Sequence, residues 1–484
     1  MKVLALLLAL ALAGCAVGPD FTPPAAPGVA GYVRGGDPAQ TPVGEGRAQR
    51  FVPDAPVPAD WWRMFGSAEL DRAMADALDA NPTLQVAEAN LRAADASVHA
   101  GAGIFYPQVA AQAGAARQTS TPARLGVNAA PAIFNVLSLG ATVSYSLDVF
   151  GGNRRAVEGL AAQAEAQRQA VGTAWLALTG NYVNTAIAQA GYAAQIEATE
   201  ALIRLVRDQV DVTHAQVDAG TATYASELAL VTQLAELEAT LPPLQQRMDQ
   251  ADHLLATLAG RYPADAAPLD VRLDSLTLPG DLPRVLPADL VRRRPDVMAA
   301  QARLHAASAD IGVATAAMLP NIVLSAGYGR EGTRTADLFR AGGGVWSLAG
   351  SLVAPVFEGG TLYYQRQAAV ARWEAAQADY RQVALAAFAQ VADALQALDH
   401  DAVLVDVQDR AQGAAKRLLD SVQANYQAGT AGYLQVLVAN AQYQQAIIGY
   451  LQARTQRLQD TALLYLALGG GWKPDAAPQA SVTP

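Results

Sequence analysis

The sequence is short of cysteine, aromatic residues and charge. Its 484 residues include one cysteine, 6% aromatic and 16% charged side chains, although 52% of the residues are hydrophobic. Alanine is the most frequent apolar residue, and it forms helices readily but buries little surface. The single cysteine excludes a disulfide within the chain, and the composition favours long, closely packed helices over a large globular core.

Basic clusters are also scarce, since the only run is Arg292–Arg294 and the formal net charge is −10. This argues against nucleic acid as a partner. The five histidines show no ligand spacing, and no nucleophile–base pair stands out. The sequence therefore predicts a protein that is not an enzyme and that binds no metal and no cofactor, apart from the possible lipid discussed next.

Beyond the first 14 residues, no apolar run is long enough for a spanning helix. Residues 1–14, "MKVLALLLALALAG", are typical of a signal peptide. The stretch from Leu12 to Cys15 resembles a bacterial lipoprotein cleavage box, which implies that Cys15 becomes the first mature residue and carries lipid. The next residue is Ala16 rather than aspartate, which indicates the outer membrane. The alternative is an ordinary thiol that follows a signal sequence.

Proline is missing from two long stretches. The chain has 26 prolines, but none lies between Pro131 and Pro242 or between Pro355 and Pro474. Because proline breaks helix interiors, these gaps predict continuous helices over 153–219 and 360–428, each about 100 Å long.

The two halves of the chain repeat each other. The segment "NPTLQVAEANLRAADASVHAGAGIFYP" (81–107) aligns without a gap to residues 294–320. The turns "AGTATY" and "AGTAGY" recur at an offset of 209. We expect Gly220 and Gly429 to cap the outgoing helices in the left-handed conformation, and Thr221 and Thr430 to start the returning ones.

This repeat divides the chain into six segments. They are a signal peptide (1–14), a lipidated extended arm (15–60), a first repeat (61–260), a linker (261–287), a second repeat (288–468) and a C-terminal tail (469–484).

Each repeat contains two β-like segments, 107–118 and 135–150 in the first and 321–329 and 345–357 in the second. In 135–150 one face is apolar and the other is small or polar, which fits a sheet on a core or a lipid-facing barrel. Four strands cannot close in lipid, so a barrel needs several chains. Two chains supply eight strands and three supply twelve, and this argument alone does not choose between them.

Several blocks together resemble the TolC-like outer-membrane factors, and most closely their NodT-type efflux lipoproteins. They are "CAVGPDFTPP", "ADWWRMFGSAELDRAMADALDANPTL", "LPADLVRRRPDVMAAQARLHAASADIGVA", the paired "AGT" turns and "AGYLQVLVANAQY". The resemblance spans residues 15 to about 468.

The resemblance implies a mainly α fold with membrane β-structure. It is a homotrimer in which a shared 12-stranded β-barrel, four strands per chain, stands on a long α-helical barrel with an equatorial region. It implies a passive exit duct for drugs or other small molecules in the outer membrane. Its partners would be a periplasmic adaptor (a membrane fusion protein), an inner-membrane RND-type transporter and outer-membrane lipid.

The resemblance also implies a periplasmic gate at the hairpin tips. The matching positions are Tyr426, Leu434, Gln435, Val438 and Ser226. Relatives often have acidic residues where Gln435, Val438 and Ser226 stand, so we expect a closed state held by apolar contacts and hydrogen bonds more than by charge. The exposed tips, Gly220, Thr221, Gly429 and Thr430, are the candidate adaptor contacts. The alternatives are ordinary interhelix packing and helix caps without a partner.

Two other functions stay open from the sequence alone. One is a duct of the same fold for secreted proteins of the type I system. The other is a lipid-anchored coiled-coil scaffold without a pore, in which the alternating segment belongs to a soluble sheet.

Overall fold

The computed structural model describes residues 16–120, 126, 130–340 and 342–472. The predicted signal peptide and Cys15 lie outside the described residues.

The described residues form eight α-helices in the order that the internal repeat predicts. They are α1 (Ala68–Ala80), α2 (Pro82–Ala102), α3 (Gly152–Asp218), α4 (Tyr224–Leu258), α5 (Pro287–Arg293), α6 (Pro295–Ala316), α7 (Thr361–Gln427) and α8 (Tyr433–Ala467). None of them has a segment that is both long and apolar enough to cross a bilayer.

Six strands accompany the helices in the described part of the chain. They are β1 (Arg50–Pro53), β2 (Gln108–Ser120), β3 (Ala132–Leu147), β4 (Asp281–Arg284), β5 (Asn321–Gly332) and β6 (Gly344–Val353). The order α2, β2, β3, α3, α4 thus recurs as α6, β5, β6, α7, α8.

The two longest helices confirm the argument from missing proline. Helices α3 and α7 have 67 residues each, and both end within one residue of their predicted bounds. At 1.5 Å per residue each is about 100 Å long. Each is followed by a returning helix of 35 residues, α4 or α8, so the chain forms two hairpins with unequal arms. The hairpins lie side by side, because α3 packs against α8 as well as against α4.

Helix α4 continues through Pro242 and Pro243, although proline removes a backbone donor and usually ends a helix. Tertiary packing accounts for its persistence. Leu230 and Leu237 of α4 are buried in one apolar cluster with residues of α3 such as Val206. Such packing contributes more to a helix in a protein than the local propensity of one or two residues.

The main hydrophobic core lies part-way along the helices, between the four-stranded sheet and the hairpin tips. Trp61, Phe65 and Met74, from the segment before α1 and from α1 itself, are fully buried. Trp61 stacks on Tyr465 near the end of α8, with ring centroids 5.6 Å apart. The N-terminal segment and the last helix are thereby packed together.

Strand β1 lies in the predicted arm, and β4 lies in the predicted linker. The two pair in parallel, with Phe51 opposite Leu282. The arm is also held by Arg457 of α8, which is 1% exposed and donates to the carbonyls of Gly44 and Arg47 at 3.0 and 3.3 Å. The predicted extended arm therefore contains a strand at Arg50–Pro53, because pairing with a segment distant in sequence orders it.

The other four strands form one antiparallel sheet in the order β2-β3-β5-β6. They extend beyond the predicted segments at some ends and stop short at others, since β3 covers 132–147 rather than 135–150. Strands β2 and β6 are the edges of this sheet within the single chain.

Candidate functional site

The tips of the two hairpins have the same backbone structure. Gly220 and Gly429 follow the ends of α3 and α7 with φ angles of +72° and +74°, in the left-handed region that glycine adopts without strain. In the first tip the Thr221 N–H donates to the Gln216 carbonyl at 2.8 Å, and in the second the Thr430 N–H donates to the Asn425 carbonyl at 2.9 Å. The predicted glycine caps are thus confirmed.

The two threonines do not start the returning helices, so that prediction is wrong. The hydroxyls of Thr221 and Thr430 donate back to the Gln216 and Asn425 carbonyls, each at 3.0 Å. They satisfy carbonyls that the end of an α-helix leaves without a donor. The N-cap of α4 is instead Thr223, and the N-cap of α8 is Gly432, which supplies no side-chain oxygen.

Tyr426 connects the two hairpins near these tips. Its hydroxyl donates to the Gln216 side-chain oxygen on α3 at 3.2 Å, and its ring meets that of Tyr433 edge-on at 5.9 Å. Further along, the Asn440 amide donates to the Gln209 side-chain oxygen at 3.1 Å. The side-chain hydrogen bonds described here that join the hairpins are therefore between neutral groups, and apolar packing of Tyr433 and Leu437 accompanies them.

Three of the predicted gate residues lie together on the exposed side of α8. Leu434 and Val438 are four residues apart, so they lie on one side of the helix, and they are 71% and 49% exposed. Gln435 beside them is also exposed, whereas Val436 and Ala439 are buried against the rest of the chain. The structure thus brings Leu434, Gln435 and Val438 into one patch that its own chain leaves uncovered.

Ser226 lies at the other tip, in the first turn of α4. Its backbone N–H donates to the Thr223 hydroxyl oxygen at 3.2 Å, and its own hydroxyl is 2.8 Å from the same atom. This position is therefore part of the helix cap, and it is separate from the patch on α8.

The charge beside Ser226 belongs to Glu227, whose carboxylate is 2.9 Å from Nδ1 of His214. This hydrogen bond raises the pKa of His214, and the nearby carboxylates of Asp218 and Asp211 raise it further. This contact could not be predicted from the sequence, because His214 and Glu227 come together only when the hairpin forms.

The four-stranded sheet has two chemically distinct faces that stay in register across all strands. Residues directly opposite each other share a face, so one row joins Ala141, Tyr328 and Trp346, and another joins Leu147, Ile322 and Leu352. The next rows join Thr142 to Gly327 and Ser347 on the opposite side. One face is therefore apolar, and the other carries small or polar residues.

The apolar face is not covered by the helices of its own chain. Trp346, Leu348 and Leu352 are 79%, 77% and 65% exposed. A large exposed apolar surface of this kind indicates contact with a membrane or with another chain. Because all four strands contribute to it, the alternating pattern seen in one segment of the sequence belongs to a whole sheet.

The first described residues lie where the sheet meets the long helix α3. The Val17 N–H donates to the Phe150 carbonyl at 2.9 Å, and Asp20 accepts from Arg155 at 2.6 Å. Ala16 lies so close to Gly151 that a β-carbon there would come within 2.6 Å of it. The first described residues are therefore held at the junction of the sheet and α3.

No group of residues that could hold a metal ion occurs in the part of the chain that the structure describes. The candidate functional regions are three exposed surfaces: the apolar face of the sheet, the two hairpin tips and the patch on α8.

Long helical hairpins below a two-faced antiparallel sheet define an outer-membrane channel of the TolC-like fold. The chain belongs to the outer membrane efflux protein family, whose model matches residues 73–261 and 286–470. These two ranges correspond to the two structural repeats.

Relatives and solved structures agree with this assignment. The pyoverdine export outer membrane protein OpmQ of Pseudomonas aeruginosa is 33% identical over 438 residues, which cover 87% of this chain and 89% of OpmQ. Nodulation protein T of Rhizobium leguminosarum bv. viciae is 29% identical over 487 residues, 99% of this chain and 95% of that protein. The structure of the outer-membrane channel OprN matches with a TM-score of 0.85 at 28% identity, covering 95% of this chain and 100% of OprN.

The resemblance to the TolC-like factors and their NodT-type members is confirmed. The protein is an outer-membrane efflux duct.

Proposed function

We propose that three copies of this chain form a passive exit duct for small molecules. In this duct a 12-stranded barrel in the outer membrane continues into a helical barrel in the periplasm. A periplasmic adaptor meets the hairpin tips and connects them to an inner-membrane RND-type transporter, which supplies the energy. The observation that carries the proposal is the exposed apolar face of the four-stranded sheet.

Closure of that sheet requires further copies of the chain. Among the described residues of one chain, β2 and β6 each have an edge without a partner, and unpaired backbone groups are costly in lipid. Twelve strands leave room for a pore, whereas the interior of an eight-stranded barrel is filled by side chains. A trimer would therefore pair the backbone groups at both strand edges and also leave a pore wide enough for transport.

Strand length and the aromatic residues support a membrane position. On β6 and the segment after it, exposed Trp346 and Phe357 lie 11 residues apart, and a tilted membrane strand needs about 9–11 residues. Aromatic residues favour the two boundaries of the apolar layer. A scaffold without a pore would instead need another cover for this face.

The N-terminus supports a lipid anchor on Cys15. The arm fixes Ala16 at the junction of the sheet and the helices. In the proposed duct this junction lies at the periplasmic surface of the outer membrane. A lipid on the preceding residue would enter the bilayer beside the barrel. Labelling with a palmitate analogue tests this: the wild type should be labelled and Cys15→Ala should not, and label on Cys15→Ala would contradict the proposal.

We place the closed gate at the patch of Leu434, Gln435 and Val438. Around a three-fold axis the three patches would meet, and Leu434 and Val438 would bury apolar surface against their copies. Tyr426 would hold the second hairpin, α7 and α8, to the first hairpin, α3 and α4, of the same chain. Because this patch contains no carboxylate, divalent cations should not block the current at this entrance, and a strong block would contradict this gate.

The tips are the proposed adaptor contacts, and the two threonines allow contact to be separated from capping. Thr221→Val with Thr430→Val removes the hydroxyls at nearly constant volume, whereas Thr221→Trp with Thr430→Trp also obstructs an end-on partner. We expect the Trp pair to abolish drug resistance in cells that hold normal amounts of trimer, and the Val pair to retain most of it.

Equal resistance in both pairs would contradict contact at the tips. Growth in the presence of several drugs, with trimer quantified in isolated outer membranes, measures both outcomes. A duct for secreted proteins would show export of a protein substrate and no change in drug resistance in either pair.

A further inference from the structure

The sheet end of this acidic protein has few acidic residues, and arginine is its only basic residue. No aspartate or glutamate occurs between Asp95 and Asp148, a stretch that covers β2, β3 and the loop between them. The corresponding stretch of the second repeat, β5 to β6, contains two acidic residues, Glu331 and Asp337. Across these strands and their far loops the arginines are Arg117, Arg124, Arg330, Arg334 and Arg340.

Arg117, Arg330, Arg334 and Arg340 lie at the end of the sheet that is remote from the helices, and Arg124 lies outside the described residues. Strands β2 and β5 leave the helices at Gln108 and Asn321, so the loops after them are at the far end. Register places Arg117 opposite Asn135 and Arg330 opposite Leu139, both on the apolar face. The last pair of β3 and β5 is Leu137 with Gly332. Arg334 is two residues after Gly332, and Asn135 is two residues before Leu137, so the two lie at the same level of the sheet.

An aromatic row lies between the arginines and most of the apolar face. Tyr328 and Trp346 are paired across β5 and β6 and are largely exposed. Arg330 is two residues beyond Tyr328, which is about 6–7 Å along the strand. Aromatic side chains prefer the boundary of the hydrocarbon, so the arginines lie on the headgroup side of this boundary. Arg330 is two residues beyond the aromatic row, and Arg117 and Arg334 are six residues beyond it.

The nearby carboxylates do not neutralise this group. Glu331 pairs with Ser138 and therefore belongs to the opposite face. Asp337 is 3.3 Å from Arg340, whereas neither Arg117 nor Arg334 has a carboxylate within 4.0 Å among the described residues. Arg330 donates to the carbonyls of Leu338 and Arg340 at 3.2 and 3.3 Å, and so holds the loop against the sheet. Arg117 and Arg334 are left exposed to the membrane surface.

We propose that Arg117 and Arg334 bind the phosphates of the outer-leaflet glycolipid, lipid A. Guanidinium groups bind phosphate through paired, charge-assisted hydrogen bonds, and the acyl chains of the lipid would cover the apolar face below. Arg330 and Arg340 fix the loop that carries Arg334. The inference rests on the proposed outer-membrane barrel, because only there does this end of the sheet face the outer leaflet.

The test uses the purified full-length trimer and compares four probes: lipid A with both phosphates, dephosphorylated lipid A, phosphatidylglycerol and inorganic phosphate. Bound lipid is counted by native mass spectrometry, and the thermal midpoint of trimer dissociation is recorded. We expect only phosphorylated lipid A to bind tightly and to raise the midpoint. The double variant Arg117→Gln, Arg334→Gln should bind it about tenfold or more weakly.

Two further variants keep the result interpretable. Arg204→Gln with Arg410→Gln removes two exposed arginines from the long helices and should bind lipid A as the wild type does. Arg117→Lys with Arg334→Lys keeps the charge and should bind at an intermediate level. If wild type and Gln variant respond alike, or if phosphatidylglycerol or free phosphate acts as lipid A does, the inference is overturned.

Failure of the inference and failure of the proposed function give different results. Trimers that conduct ions but do not distinguish phosphorylated from dephosphorylated lipid A would overturn this inference and leave the duct intact. A wild-type protein that forms no conducting trimer would overturn the proposed function, and this inference with it.

Discussion

At the scale of single residues, one phenol connects the two hairpins near their tips. Tyr426 of α7 reaches Gln216 of α3, and a bond between neutral groups contributes about 0.5–1.5 kcal/mol. Such a contact is strong enough to favour a closed arrangement and weak enough for a partner to break. The residue-scale chemistry of the tips therefore fits a gate that opens on contact.

The first prediction concerns this hydroxyl. Tyr426→Phe removes the bond to Gln216 and keeps the ring against Tyr433, so we expect a roughly two- to tenfold higher open probability of single channels in planar bilayers. Tyr443→Phe is the control, since Tyr443 is also on a hairpin but its ring contacts Lys416 through the π face. Equal open probabilities in the two variants would show that Tyr426 only packs.

The second prediction concerns pH at the first tip. The pKa of His214 is raised, so the stabilising contact with Glu227 is fully present below the ordinary histidine pKa of about 6.5. It is lost as pH rises through the raised value. We expect amides of residues 211–230 to be better protected from hydrogen exchange at pH 6 than at pH 9, after correction for intrinsic rates.

His214→Gln should remove that difference, whereas His99→Gln, on α2, should keep it. A wild-type tip with the same protection at both pH values would contradict the role of this contact.

At the scale of elements, the hairpins depend on one left-handed residue at each tip. Gly429 has φ +74°, whereas Gly432, three residues later, has φ −78° and open space around its α-carbon. Gly429→Ala should destabilise the tip by about 1–2 kcal/mol, because an L residue is strained in this conformation.

The matched control is Gly432→Ala, which should leave the tip unchanged. Hydrogen exchange near residues 425–435 measures both, and we expect protection to fall roughly 5- to 30-fold in Gly429→Ala only. A similar loss in both variants would mean that chain stiffness rather than the left-handed conformation matters.

The long helices were the elements that sequence predicted best. The absence of proline within α3 and α7, together with the glycine that follows each helix, predicts both ends of these helices to within one residue. Both signals act through the local backbone. The threonines at the tips were predicted wrongly, because a hydroxyl near a helix end can serve either helix and only the closed turn decides. Strand ends and the β1–β4 pair depend on partners distant in sequence, which local pattern does not indicate.

The positions of the predicted gate residues could be foreseen from the sequence only in part. Leu434, Gln435 and Val438 come together because they share one side of a helix, which spacing alone predicts. The partner of Tyr426 and the contact of His214 with Glu227 depend on how hairpins pack, so they were visible only in the structure.

At the scale of the whole molecule, the sheet must present its apolar face to lipid. Leu348 and Ser347 are neighbours on β6 but belong to opposite faces. Leu348→Arg should reduce assembly in the outer membrane, because arginine on the lipid face costs free energy that rises from about 0–1 kcal/mol at the interface to about 2–4 kcal/mol at the bilayer centre. Ser347→Arg should still assemble, with altered ion selectivity, since it faces the pore.

Trimer in isolated outer membranes, together with the current it carries, measures both variants. If Ser347→Arg is lost and Leu348→Arg is retained, the assignment of the two faces is reversed.

The most direct test of the account is the number of chains in one conducting channel. Native mass spectrometry of the detergent-extracted protein, combined with single-channel recording of the same sample, gives this number. The account predicts three chains and a steady ionic current. A folded single chain that is stable in water without detergent, or a conducting complex of two chains, would contradict it.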